Sequence, residues 1–195
     1  ESDKLISVKT NNEPVKTEIK SEHVIIPGRL LKQGINTIDI TFVAGDLSLN
    51  RNDNYLYTLF VPDRARTTFP CFDQPDLKAR FKLSLEIPAH WTAVANGSEI
   101  DVSESSNRKT IHFSETKPLS TYLFAFVCGK FKTIKRTYNH QTIRLYHREN
   151  DTSALNNNTD EIFRQVTSSL DWLEDYTGIP YPFAKYDLIA IPSFQ

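Results

Sequence analysis

The chain has 195 residues, 39% hydrophobic and 24% charged, and its 23 basic and 24 acidic side chains leave a formal net charge of -1. That balance fits an ordinary globular chain of one or one and a half domains and offers no basic footprint for nucleic acid or an anionic lipid surface. No apolar run nears the roughly 20 residues that span a bilayer, the first ten residues lack the regions of a signal peptide, and two cysteines, Cys71 and Cys128, are too few for a disulfide framework.

From residue 5 to about 148 the pattern is period-two alternation in short runs broken by Pro, Gly, Asn and Asp, which predicts a mainly β, antiparallel, sandwich-like domain. Over residues 36–44, Ile38, Ile40 and Phe42 are expected on one face and Asp39 and Thr41 on the other. Phe81, Leu83, Leu85 and Ile87 are expected on a core face, with Pro88 ending the strand because it cannot donate to a ladder. The apolar run 121–131 predicts a central strand covered on both faces, with Gly129 marking a bulge. Residues 138–148 predict a hairpin turning at Asn139 and His140. Cys71 and Cys128 are expected as buried free thiols.

Residues 149–159 (ENDTSALNNNT) are polar and Asn-rich, which places a domain boundary between 1–149 and 150–195. Beyond it, Asn158 and Glu161 have the spacing of a helix N-cap and its third helical residue. Ile162, Val166, Leu170 and Leu173 recur at helical spacing to about Tyr176, where Gly178 and Pro180 stop the helix. Residues 185–191 predict a strand. The change from all-β to helix and strand suggests that a second domain begins here. Methionine is absent and position 1 is Glu, so the expectation is a piece cut from something longer.

No residue pattern announces catalysis. The five histidines (His23, His90, His112, His140, His147) form no H-E-x-x-H pair, and the six glycines make no phosphate loop and no nucleophile elbow. His140 and His147 lie an odd number apart on a strand and are expected as surface side chains. Glu174 and Asp175 are neighbours on a solvated helix face.

Three ordered segments nevertheless resemble one family. Residues 64–88, RARTTFPCFDQPDLKARFKLSLEIP, are similar to the A-R-x-x-F-P-C-F-D-E-P-x-x-K-A-x-F stretch of the aminopeptidase N family of zinc metallopeptidases, which includes leukotriene hydrolase and the endoplasmic-reticulum aminopeptidases. Ala65, Arg66, Phe69, Pro70, Cys71, Phe72, Asp73, Pro75, Lys78, Ala79 and Phe81 match in register. PLSTYLFAF at 118–126 resembles the family's S-T-Y-L-x-A-F strand, and WLEDYTGIPYPFAKYDLIAIPSFQ at 172–195 its passage into the catalytic domain.

The resemblance implies a saddle-shaped N-terminal β domain lacking its first strands, then the opening helix and strand of an α/β zincin domain, cut before the G-x-M-E-N and H-E-x-x-H motifs. It also implies that zinc belongs to the full-length parent and is not bound by this chain, whose partners are its own catalytic domain and peptide substrates. By resemblance Tyr57, Leu59, Val61 and Gln195 approach the substrate cleft, while Arg66, Cys71, Asp73 and Lys78 form a structural motif. Asp73 sits in a turn where its carboxylate can accept from backbone N–H groups and from a cation such as Arg66 or Lys78. A direct substrate contact is the alternative for Asp73 and Arg66. Cys71 reads as a small packing residue.

One departure stands out. Where the family usually carries T-Q-x-E or T-Q-x-Q, with Gln lining the first specificity pocket and the last Glu or Gln anchoring the substrate's ammonium group, this chain has Leu59 and Val61. A desolvated ammonium needs acceptors, which an apolar side chain does not offer. A catalytically inactive relative acting as an interaction scaffold is therefore the second reading. An unrelated β-sandwich ligand module is a third, which the FPCFDQP register opposes. The sequence leaves the compartment open.

Overall fold

In a computed structural model that describes residues 4–139 and 141–191, the chain is mainly β and antiparallel, with one helix followed by a final strand. The first strands are β1 (Leu5–Thr10), β2 (Glu13–Pro14), β3 (Glu18–Lys20), β4 (His23–Ile25), β5 (Ile38–Phe42), β6 (Leu49–Arg51), β7 (Tyr55–Thr58) and β8 (Lys78–Ala79). Then come β9 (Ser84–Pro88), β10 (Thr92–Ala95), β11 (Glu99–Ser105), β12 (Arg108–Phe113), β13 (Leu119–Ser120), β14 (Phe126–Gly129), β15 (Lys132–Tyr138) and β16 (Gln141–His147). The helix α1 (Thr152–Thr177) and β17 (Lys185–Ile189) close the order. Contacts divide the described residues into two compact units. Among the described residues, the first draws on 4–52, Leu56–Phe81 and Thr116–Ala125, the second on Asp53–Tyr55, Lys82–Glu115 and those from Phe126 to Ile191.

In the first unit, two-residue turns set the hairpins. Asn11 and Asn12 join β1 to β2 with φ of 52° and 71°, and Ser21 and Glu22 join β3 to β4 with φ of 49° and 64°. Positive φ at both turn positions matches the twist of the strands, and Asn tolerates it. β1 also pairs with β5, setting Val8 against Ile40. The alternation in β5 is partial: Ile40 and Phe42 are half-buried, but Ile38, at the first position of this outer strand, is 43% exposed. The residues before it serve a loop instead. Asn36 takes N–H bonds from Lys32 and from the Asn11 side chain and donates to the Lys32 and Gly34 carbonyls. β6 pairs with β7, and β8 with β13.

In the second unit the strand order β11–β12–β9 is antiparallel throughout. Leu85 and Ile87 face inward with Ile111, and Pro88 is the last residue of β9, as its missing N–H requires. β10 pairs with β14. The run 121–131 is not one strand. Residues Thr121–Leu123 form a 3-10 turn, closed by the Phe124 N–H on the Thr121 carbonyl, and β14 starts only at Phe126. The cause is polar: the Thr121 hydroxyl donates to the Phe72 carbonyl at 2.8 Å, and the chain turns to reach it. Gly129 ends β14 and makes no bulge; a Cβ there would fall 2.7 Å from the Asn54 carbonyl oxygen, so close backbone approach demands glycine.

The hairpin turning at Asn139 (φ 43°) begins six residues earlier than expected, with β15 and β16 paired from Lys132↔His147 to Tyr138↔Gln141. His140 lies outside the described residues. His147 corrects its surface assignment: it is 5% exposed, because β16 is covered on both faces at Leu145, Tyr146 and His147.

The helix also starts earlier than expected. Asp151, not Asn158, is the N-cap, its carboxylate accepting from Ser153 N and Ala154 N, so most of the Asn-rich stretch is helix. Asn158 instead donates from its amide to the Ala154 carbonyl. The buried stripe runs through Thr159, Phe163 and Leu170, with Val166 beside it, and packs on Ile143 and Leu145 of β16. Leu173 is 48% exposed. Gly178 ends the helix at φ 66°, its N–H on the Glu174 carbonyl, where a side chain would be strained. β17 then pairs in parallel with β16, setting Thr142 against Lys185. β16, α1 and β17 are therefore a βαβ unit, the connection that parallel strands need.

Candidate functional site

The sequence-selected residues, Gln195 apart, fall in the first unit on the stretch from β7 through β8. Tyr57 is 5% exposed on β7, opposite Asn50 of β6. Leu59 is half-buried and donates its N–H to the Ser48 carbonyl at 3.1 Å. Val61 is 48% exposed and stands three residues past the end of β7, in a turn closed by the Arg64 N–H on the Val61 carbonyl. Asp63 takes φ 69° there, which non-glycine residues seldom adopt. Gln195 lies outside the described residues.

After this turn, Ala65, fully buried, starts a 3-10 turn whose first carbonyl accepts from both Thr68 N and Phe69 N. Arg66 leaves it as a hub. Its backbone N–H donates to Asp73 Oδ2 at 2.9 Å, and its Nε and Nη2 grip both oxygens of Asp63 at 2.6 and 3.1 Å. Its Nη1 reaches Glu22 of the strained β3–β4 turn, 44 residues away, at 2.5 Å. The hydrogen bond from Arg66 holds the Asp63 carboxyl below its usual range, and its acidic partners push the guanidinium up, so the Arg66–Asp63 pair stays charged. Asp73 thus meets Arg66 through the backbone, not through the guanidinium. Asp73 Oδ1 is buried with no hydrogen-bond partner among the described residues.

The FPCFDQP loop is held from its other side by hydroxyls. Ser120 donates to the Pro75 carbonyl and Thr121 to the Phe72 carbonyl, while Lys78 sits exposed on β8 opposite Ser120. Cys71 is half-buried, and burial, reinforced by the Asp73 charge, lifts its thiol to about 12, the opposite of an activated nucleophile. Cys128 is buried, and both cysteines are free.

Beneath the loop lies what the sequence reading missed. Phe124 stacks on Phe81 at 4.4 Å and 8° and meets Phe69 edge-on at 6.0 Å. Phe60 stacks on Phe124 at 6.4 Å and touches Phe69 edge-on at 5.6 Å. Such ring pairs are worth about 0.5–1.5 kcal/mol each beyond area burial. The F-P-C-F segment and the S-T-Y-L-F segment, recognisable separately in sequence, therefore meet in one aromatic core. Phe69 and Phe81 stood inside the first segment and Phe124 inside the second; that these rings meet, and that Phe60 joins them, carried no local signal.

Among the described residues no three His, Cys, Asp or Glu side chains gather closely enough to hold a metal ion. A zinc site does not fit these residues, and no catalytic step is assigned to them. No described helix is long and apolar enough to cross a membrane.

Comparison with protein families matches residues 7–123 to the Peptidase M1 N-terminal domain. The chain belongs to the M1 peptidase family. The M1 match takes in Tyr57, Leu59, Val61, Arg66, Cys71, Asp73 and Lys78 and ends before α1. Over 143 residues the chain is 37% identical to aminopeptidase M1-B of Oryza sativa subsp. japonica, covering 72% of this chain and 16% of that relative. It is 32% identical over 203 residues to endoplasmic reticulum aminopeptidase 1 of Rattus norvegicus, covering 94% of this chain and 21% of the relative. Aminopeptidase N of Streptomyces lividans is 32% identical over 144 residues, covering 72% and 16%. The chain thus spans about a sixth to a fifth of the length of these M1 relatives.

Proposed function

We propose that this chain is the non-catalytic N-terminal region of a zinc-dependent aminopeptidase, that it packs on that enzyme's catalytic domain, and that it helps line the substrate cleft. The match of residues 7–123 to the Peptidase M1 N-terminal domain carries the reading. In this reading the domain border falls near residue 149, and residues 150–195 belong to the catalytic domain. Zinc, held by residues outside this chain, supplies an activated water when bound. This chain's part is to bind and orient. Val61 and Leu59 border the place of the substrate's N-terminus, Tyr57 supports them from within, and Gln195 approaches from the catalytic side. Arg66, Asp63 and Glu22 brace the turn that presents Val61.

A second reading is an inactive relative that serves as an interaction scaffold, and the apolar Leu59 and Val61 are what favour it. The full-length polypeptide separates the two. In the first reading it releases N-terminal residues from peptides and loses that activity to a zinc chelator; a folded, zinc-free and inactive polypeptide favours the scaffold. The cleft assignment has its own test. Val61→Glu in the full-length polypeptide places a carboxylate near the incoming ammonium, and a charged hydrogen bond of about 1.5–3 kcal/mol is worth a ten- to hundredfold effect. Preference for free over N-acetylated N-termini is expected to rise accordingly. An unchanged ratio in a folded variant would remove Val61 from the cleft.

A further inference from the structure

Within the second unit, β10, the start of β11, β16 and β17 surround a cavity of about 330 Å³. Its floor is charged. The Asp187 side chain is only 7% exposed, and it accepts from Lys185, itself 14% exposed, whose Nζ also donates to the Ala95 carbonyl at 2.6 Å. Arg144, 31% exposed, comes within 3.5 Å of the other Asp187 oxygen. Its guanidinium makes no other hydrogen bond or ion pair among the described residues.

The donors outnumber the acceptors. Arg144 offers five N–H groups and spends one on a long contact, and Lys185 offers three and spends two. Tyr146 lines the same cavity at 9% exposure, its hydroxyl likewise without a partner among the described residues. Burial, with the Asp187 charge, lifts that phenol to about 12, so it remains a donor at neutral pH. Two cations share one buried carboxylate here, and the fourth charged group of the lining, Glu99, stands exposed at the rim, so most of the Arg144 donors remain unspent in a partly enclosed space, where charge is costly unless paired. One acid opposes an anion from the rim: Glu99, solvent-exposed, whose charge still reaches the Tyr146 phenol.

We propose that this cavity binds a small monocarboxylate, its two oxygens taken by the Arg144 fork and its remaining lone pairs by Lys185 and the Tyr146 hydroxyl. A carboxylate suits the planar fork bidentately. Glu99 at the rim disfavours a second negative charge, so monoanions are selected over phosphate and dicarboxylates. The site uses none of the residues assigned to the cleft, but it joins Arg144 and Tyr146, before the border proposed near residue 149, to Lys185 and Asp187 after it.

Amide chemical shifts of the 195-residue chain, titrated with acetate, with neutral acetamide and with inorganic phosphate, test it. Acetate is expected to move the amides of Ser98, Arg144, Tyr146 and Lys185 saturably in the millimolar range, phosphate several-fold more weakly and acetamide not at all. Arg144→Gln is expected to weaken acetate at least tenfold and Tyr146→Phe a few-fold. Arg144 also faces Asp187, so a variant outside that pair is needed. Exposed Glu99→Gln is expected to tighten acetate and to bring phosphate level with it. Equal shifts with acetate and acetamide, an Arg144→Gln variant that binds as before, or a Glu99→Gln variant with unchanged selectivity would each overturn the proposal.

Discussion

Phe124 shows how much one aromatic ring can organise. It is 8% exposed and touches Phe60, Phe69 and Phe81, so truncation leaves a cavity walled by stiff rings that collapse poorly. Phe124→Ala is expected to cost about 3–5 kcal/mol, read as a lower urea midpoint with an unchanged slope. The cysteines make a chemical counterpart. Burial lifts the Cys128 thiol from 9.0 to about 11, so at pH 8 the folded chain holds roughly a hundredfold less thiolate there than the unfolded chain. Alkylation of Cys128 at pH 8 is expected to be slow in the folded chain and fast in urea, the gap closing as pH rises towards 11. The sign for stability follows: the neutral thiol is favoured by folding, so this contribution is whole below pH 9 and is lost between about 9 and 11. At this scale the sequence displayed Arg66 and Asp73 as a pair in register but hid how they meet. The backbone N–H that joins them, and Glu22 across 44 residues, are products of the fold, which no local pattern encodes.

Element by element, periodicity was legible where one face alone is buried and illegible elsewhere. β9 reads cleanly because Leu85 and Ile87 point inward and Ser84 and Glu86 outward. Residues 121–131 misled because an apolar run carries no period, so the 3-10 turn pinned by the Thr121 hydroxyl stayed invisible. The start of α1 was missed for another reason: Asn, Ser and Thr favour loops and caps when nothing else intervenes. Here Asp151 caps the first turn, and Leu155 N–H bonds back to its carbonyl. That cap has a measurable share. Asp151→Ala is expected to lower stability by about 0.5–2 kcal/mol and to raise amide exchange through the first turn while leaving the last turn at Gly178 protected.

For the whole molecule, membership of the M1 family and the mainly β architecture were readable from three ordered segments, whereas the βαβ closure of β16, α1 and β17 was not, because parallel pairing links strands with no local connection. The proposed reading of the chain as a non-catalytic N-terminal region leads to a direct expectation. The purified chain should hydrolyse no aminoacyl reporter and retain no stoichiometric zinc by elemental analysis. Zinc bound tightly and lost on changing His147 would contradict it. The same βαβ closure has a consequence for synthesis. β16 leaves the ribosome about forty residues before the strand it must pair with, an interval of roughly 2–8 s at ordinary elongation rates. For those seconds the nascent chain carries Ile143 and Leu145 beside an open hydrogen-bonding edge, the template on which other chains accrete. Arg144 stands between those two residues on the strand, where a charge discourages such pairing until α1 docks and β17 arrives.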